Sequence, residues 1–367
     1  MKASLLILVL ASGALLAGCG GRTGLDDGDD GGEDASFDSP GPALDATSDR
    51  DASGDGGAPP SCVPDGPGTS SCGSAPETCC ITLPVSGDTF YRAYASDDAG
   101  SPIGEVDPAT VSAFRLDAFE VTVGRFRPFA AAWDAGYRPA PGSGKHAHLR
   151  GGLGLANSAA PGTYEAGWNP ADEGSVAPTD ANLGSCGAFS TWTSSPGPRD
   201  DLPLDCVTWA ESYAFCIWDG GFLPSEAEWE LAAAGGSQQR EYPWGSADPG
   251  TQNRYAIYDC YFDPPDAQMF CNVMNLPGIA PVGTTTLGVA RTGQLDLAGN
   301  VWEATLDAFA AFANPCDDCA YLVAGAAKVV KGGGFTSTAE EIQPPNRFEL
   351  PQGTRNNYAG FRCARAP

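Results

Sequence analysis

Two histidines in 367 residues leave little imidazole for metal or acid–base chemistry. A facial triad for non-haem iron has only His146 and His148 to draw on, in GKHAH at 144–148. Alternation puts both rings on one side of a strand, so a metal site is one reading and a solvated or loop-packing pair the other. Basic residues are scarce too: 20 Lys and Arg stand against 46 Asp and Glu, a net charge of −26. Such a chain repels nucleic-acid phosphates, and anionic lipid offers it no electrostatic hold. Beyond the N-terminus no apolar run is long enough to span a bilayer. Long helices are disfavoured as well, because 48 glycines and 31 prolines punctuate the chain. The 42% hydrophobic content still suffices for a core. Together these point to a loop-rich fold with short elements.

The N-terminus carries its own instruction. Lys2 precedes a short apolar run at 4–16, and Leu16-Ala17-Gly18-Cys19 follows. We read residues 1–18 as a lipoprotein signal peptide and Cys19 as the acylated first residue, against a plain secretory peptide. That predicts a lipid-anchored protein of the cell envelope, and Gly20 leans towards the outer membrane. Residues 19–61 hold eleven acids against Arg22 and Arg50 and almost no apolar side chain, the composition of a disordered, self-repelling tether. Setting Cys19 aside, twelve cysteines remain, an even number that reads as disulfides in an oxidising compartment. Residues 62–80 form a cysteine-rich lead-in, where Cys79 and Cys80 are expected to bond outward to Cys62 and Cys72. Cys186 with Cys206, Cys260 with Cys271 and Cys316 with Cys319 are pairings by proximity. The rival reading for the CDDC at 316–319 is zinc, which lacks a second CxxC.

Residues 81–367 read as one globular domain. FRLD at 114–117 alternates like a strand. Val123, Phe126, Phe129, Ala130 and Trp133 then recur at helical spacing behind Thr122 as N-cap. Thr208 with Glu211 and Ser225 with Glu228 are capping boxes, each opening a helix that stops at paired glycines. The stretch 139–203 reads as long ordered loops. Most tryptophans are core anchors, while Trp168 and Trp192, in this loop region, could line a groove.

Six blocks follow one another in a fixed order: FRLDAFEVTVGRFRPFAAAW, LPLDCVTWAESYAFCIWDGGFLPSEAEWELAAAGG, YPWG, LDLAGNVWEATLD, VVKGGGF and GFRC. In this order the chain resembles the sulfatase-modifying-factor family, whose founding members are the formylglycine-generating enzymes. The resemblance covers roughly 83–366 and implies an irregular, loop-rich α+β fold related to C-type lectins and low in regular secondary structure. It also implies a pair of reactive cysteines after the glycine turn at 332–334, which hold copper during oxidation of a substrate cysteine. Here those positions are Ser337 and Ile342, so the family's catalytic residues are absent and copper, which asks for soft thiolates, is not expected.

LDLAGNVWE has a logic of its own. Asp296 and Glu303 supply hard carboxylate oxygens, and a turn at Gly299-Asn300 can aim carbonyls at one point, as calcium prefers. Hydrogen bonding to loop backbone is the alternative. The resemblance implies structural calcium held by Asp296, Gly299, Val301 and Glu303, a second site involving Asn253, and a disulfide between Cys216 and Cys363. The expected function is binding of a peptide or glycan in the groove beside 335–342, without catalysis. The alternative is an oxidoreductase using a metal site not evident from sequence.

Overall fold

The computed structural model describes residues 58–63, 65–73, 77–97, 99–187, 190–262 and 278–367. The expected signal peptide and Cys19, nearly all of the expected tether, and Cys271, the expected partner of Cys260, lie outside the described residues. In chain order the elements are β1 (Thr82–Val85), β2 (Asp88–Ser96), β3 (Pro102–Val111), β4 (Phe114–Asp117), α1 (Val123–Asp134), β5 (Ala156–Asn157) and α2 (Asp180–Leu183). After these come α3 (Trp209–Trp218), α4 (Glu226–Ala234), β6 (Trp302–Ala308), β7 (Cys316–Asp317), β8 (Cys319–Ala320), β9 (Lys328–Lys331), β10 (Arg347–Leu350), β11 (Ala359–Gly360) and β12 (Ala364–Arg365). This is a mixed, loop-rich α+β fold. Between α1 and α3, regular structure among the described residues is confined to β5, the single turn of α2 and short 3-10 segments.

Local chemistry places the helices. The Thr122 hydroxyl accepts from Arg125 N and starts α1, whose Phe126, Phe129 and Trp133 are buried. Phe126 stacks on Phe215 of α3 with ring centroids 5.4 Å apart, and Phe361 closes on Phe215 at the same distance. Reciprocal capping boxes open α3 at Thr208/Glu211 and α4 at Ser225/Glu228. Gly235, in the left-handed region at φ 69°, ends α4.

Four sheets carry the rest. The largest runs β10-β9-β6-β11, with β11 parallel to β6 and the other pairs antiparallel. In β9, four consecutive buried residues lie under its flanking elements. A second sheet, β1-β4-β12, brings the C-terminus against the start of the domain. The Cys216–Cys363 disulfide joins α3 to that C-terminal segment across 147 residues. In the chain-entropy model a loop that long contributes roughly 5 kcal/mol.

The lead-in is tied by Cys62–Cys80 and Cys72–Cys79, so the vicinal pair does bond outward. It docks through Ser61, whose N–H donates to Asp219 and whose hydroxyl accepts from buried Arg125. Cys316 and Cys319 form a disulfide with each other, which removes the zinc reading. Trp168 and Trp192 are 2% and 9% exposed and sit in the main core, so neither lines a groove. Their rings fill space that short elements leave open.

Candidate functional site

The turn after β9 is built on glycine for a steric reason. Gly332 and Gly333 lie at φ 90° and 72°, and a Cβ on Gly333 would stand 2.6 Å from the Ile342 side chain. Gly334 N donates to the Ser337 hydroxyl at 3.0 Å, and Ser337 N returns a bond to Gly334 O at 2.9 Å. Ser337 is 4% exposed, and its hydroxyl closes the turn with no histidine, lysine or carboxylate bonded to it among the described residues. Ile342 is fully buried with Tyr242, Ala256, Tyr258 and Ala298. One position of the expected thiol pair therefore holds a turn together, and the other fills core.

The turn is anchored from behind by the LDLAGN segment. Gly299 N donates to Gly332 O at 2.8 Å, and Phe335 N donates to Asn300 O at 2.8 Å. On its other flank, Asp259 N donates to Ser337 O and Cys260 N to Phe335 O, both at 2.8 Å. That flank opens into a cavity of about 660 Å³ lined by Asp248, Arg254, Tyr255, Tyr258, Asp259, Tyr261 and Ala339, among others. Tyr258 belongs to both the cavity wall and the Ile342 cluster, and its hydroxyl donates to Gly250 O at 2.9 Å. Tyr242, Trp244 and Tyr255 continue the aromatic surface, with centroid spacings of 4.9 and 5.2 Å. Aromatic faces with two carboxylates and one guanidinium suit stacking and hydrogen bonding to an extended polar ligand. The tyrosines at 255, 258 and 261 escaped the sequence reading, although their three-residue spacing in YAIYDCY was a usable signal.

The expected calcium ligands have settled partners. Both oxygens of Glu303 receive Arg362, from Nε and Nη2 at 2.7 Å each, and Oε2 also accepts from Trp229 Nε1 at 2.8 Å. Asp296 accepts from Gly283 N at 2.6 Å and from the Thr285 hydroxyl at 3.1 Å. A third carboxylate, Glu120, was missed; it accepts from Asn300 Nδ2 at 2.7 Å and Val301 N at 3.2 Å. Burial, followed by the charges of Asp296 and Glu303, pushes the Glu120 carboxyl well above the usual carboxylate range. Three buried acids thus lie around one guanidinium, and their hard oxygens are of the donor type a divalent cation takes. At Asn253 the side-chain Oδ1 is buried without a hydrogen-bond partner among the described residues, while Nδ2 donates to Tyr261 O at 2.9 Å. Among the described residues no three His, Cys, Asp or Glu side chains are gathered as a ligand set.

His146 is fully buried, neither solvated nor free for a metal. Nδ1 meets Glu165 and Nε2 meets Glu228, each at 2.9 Å, so no lone pair remains for coordination. Burial opposes the charged ring, but Glu228 and Glu165 outweigh it and raise the pKa to about 10. His148 stacks on Phe222, and burial holds its pKa down. The HxH pair is a packing device centred on an ion-paired imidazolium.

Residues 72–367 match the family described as "Sulfatase-modifying factor enzyme 1-like domain". A formylglycine-generating enzyme of Thermomonospora curvata is 29% identical over 309 residues, covering 77% of this chain and 92% of that protein. Mouse "Inactive C-alpha-formylglycine-generating enzyme 2" is 29% identical over 179 residues, 47% of this chain and 54% of that one. PvdO from Pseudomonas aeruginosa superposes with a TM-score of 0.48 at 18% identity, over 78% of this chain and 94% of that one.

Proposed function

Because the chain belongs to the sulfatase-modifying factor enzyme 1-like family, we propose that it is a member that binds a peptide or glycan and does not catalyse. One observation carries the reading: both positions of the family's thiol pair serve structure here, Ser337 in a turn and Ile342 in a core cluster. The oxidation needs two thiolates, and neither a turn-closing hydroxyl nor a packed sec-butyl side chain substitutes for them. Relatives from mouse and cattle carry the word "inactive" in their names, which accords with a non-catalytic branch. The ligand would lie in the 660 Å³ cavity, its rings or backbone against Tyr255, Tyr258 and Tyr261 and its polar groups on Asp248, Asp259 and Arg254.

Calcium is part of the same proposal. Asp296 and Glu303, with the carbonyls of Gly299 and Val301, would hold it, and it would offset the acid surplus around Glu120. Its role would be to stiffen the segment that anchors Gly332 and Phe335. No copper is expected. Acylation at Cys19 would tether the domain to a membrane of the cell envelope, the outer one by our reading of Gly20.

The test is a combined peptide and glycan array with wild type and with Ala339→Trp, which fills the cavity. Hits lost in the variant support the reading; an array without hits, or hits indifferent to Ala339→Trp, overturns it.

A further inference from the structure

A second cavity, of about 250 Å³, shares no lining residue with the first. Its walls come from separate parts of the chain: the loops at 157–172 and 322–324, α3, β6 and the first residue of β9. Lys328 lines it and is only 5% exposed. Its ammonium stands 3.8 Å from the Trp209 ring centroid and donates to Leu306 O at 3.1 Å. An ammonium has three donors, so one remains. Buried lysines are rare unless paired with an acid, as Lys331 three residues along is with Glu230 at 2.9 Å. Among the described residues Lys328 has no such ion pair. Burial holds its pKa down, to about 8, against the partial pull of Asp307 and Asp172. Of the lining acids, Asp172 is engaged by Gln352 at 3.1 Å and Glu165 by His146 at 2.9 Å.

We propose that this cavity binds a small carboxylic acid with an apolar body, its carboxylate on Lys328 and its body against Trp209, Tyr213, Leu306 and Leu322. Three observations select that chemistry. A single unpaired ammonium balances a monoanion, whereas a phosphate dianion would face Asp172 and Glu165 in a chain of net charge −26. The aromatic and aliphatic walls reward an apolar body. The volume lies below the roughly 300–1,000 Å³ of sites for drug-sized ligands, which limits the occupant to about one ring. This inference is independent of the first cavity and of whether the protein catalyses anything.

The experiment is calorimetric titration of the full chain with benzoate, benzyl alcohol, benzylamine and inorganic phosphate. Benzoate is expected to bind, and benzyl alcohol to bind roughly tenfold more weakly or worse, the margin of one charge-assisted hydrogen bond. Lys328→Met should abolish the preference for benzoate, and Lys328→Arg should keep it. Should Lys328→Met fail to fold, Val323→Trp at the exposed rim narrows the mouth without touching the charge, and it should weaken benzoate alike. Equal binding of benzoate and benzyl alcohol, tighter binding of phosphate, indifference to these variants, or no binding at millimolar benzoate would each overturn the assignment.

Discussion

Replacing His146 by glutamine removes the one cation between two buried carboxylates. In the native chain Glu165 and Glu228 each lie 2.9 Å from a ring nitrogen, and Glu228 also accepts from Ser225 N at 2.8 Å to cap α4. Loss of one partner from a buried charged network costs about 3–5 kcal/mol. The raised pKa leads to a figure of the same order. The folded pKa of about 10 lies some 3.5 units above the unfolded value of 6.5, and each unit is worth 1.36 kcal/mol, or roughly 5 kcal/mol in all. Because the folded pKa is raised, this stability is fully present below pH 6.5 and is lost as pH rises towards 10. Between pH 6 and pH 9 the loss amounts to about 3 kcal/mol. The assay is urea unfolding with disulfides intact, at both pH values, for wild type and His146→Gln. The stability difference between the two proteins should shrink by that amount from pH 6 to pH 9. A difference independent of pH would refute the ion-paired imidazolium.

Other perturbations act on the same frame. Gly333→Ala meets the Ile342 side chain at 2.6 Å from a left-handed backbone, and should cost about 1–3 kcal/mol by chemical denaturation; in a double-mutant cycle with Ile342→Ala the combined loss should be less than the sum of the two single losses, and strict additivity would remove the clash as the cause. Replacing Cys216 and Cys363 together by alanine should cost up to roughly 5 kcal/mol, and a loss under about 1 kcal/mol would mean the pair contributes little. If calcium neutralises the acids around Glu120, chelator should lower the melting temperature of wild type. The same chelator should leave Glu303→Gln nearly unmoved; equal shifts in both proteins would remove Glu303 from the calcium account.

Much of the frame was legible because its causes are local. Thr122, Thr208 and Ser225 cap helices through contacts three residues away, and the paired glycines at 332–333 announce a turn no other residue adopts cheaply. The acids of α4 behave differently. Glu226, Glu228 and Glu230 are all buried, yet their partners Arg347, His146 and Lys331 lie 121, 82 and 101 residues away in sequence. Nothing in EAEWE distinguishes that from a solvated first turn. The cavity beside Ser337 was harder to read, since its lining comes from an irregular segment with positive φ at Asn253 and Asp259, where the spacing of Tyr255, Tyr258 and Tyr261 is the one regular signal. Glu120 was hidden for the same reason as the α4 acids: its like-charged neighbours, Asp296 and Glu303, come from the far end of the chain.

Ser337 and Ile342 stand where the family's thiol pair would act, and the proposed absence of catalysis rests on them. The direct test incubates purified protein with Cu(I), oxygen and a cysteine-containing sulfatase-type peptide, and follows the peptide by mass spectrometry with aldehyde trapping. No aldehyde above the protein-free control is predicted. Turnover to a formylglycine product would contradict the non-catalytic reading outright.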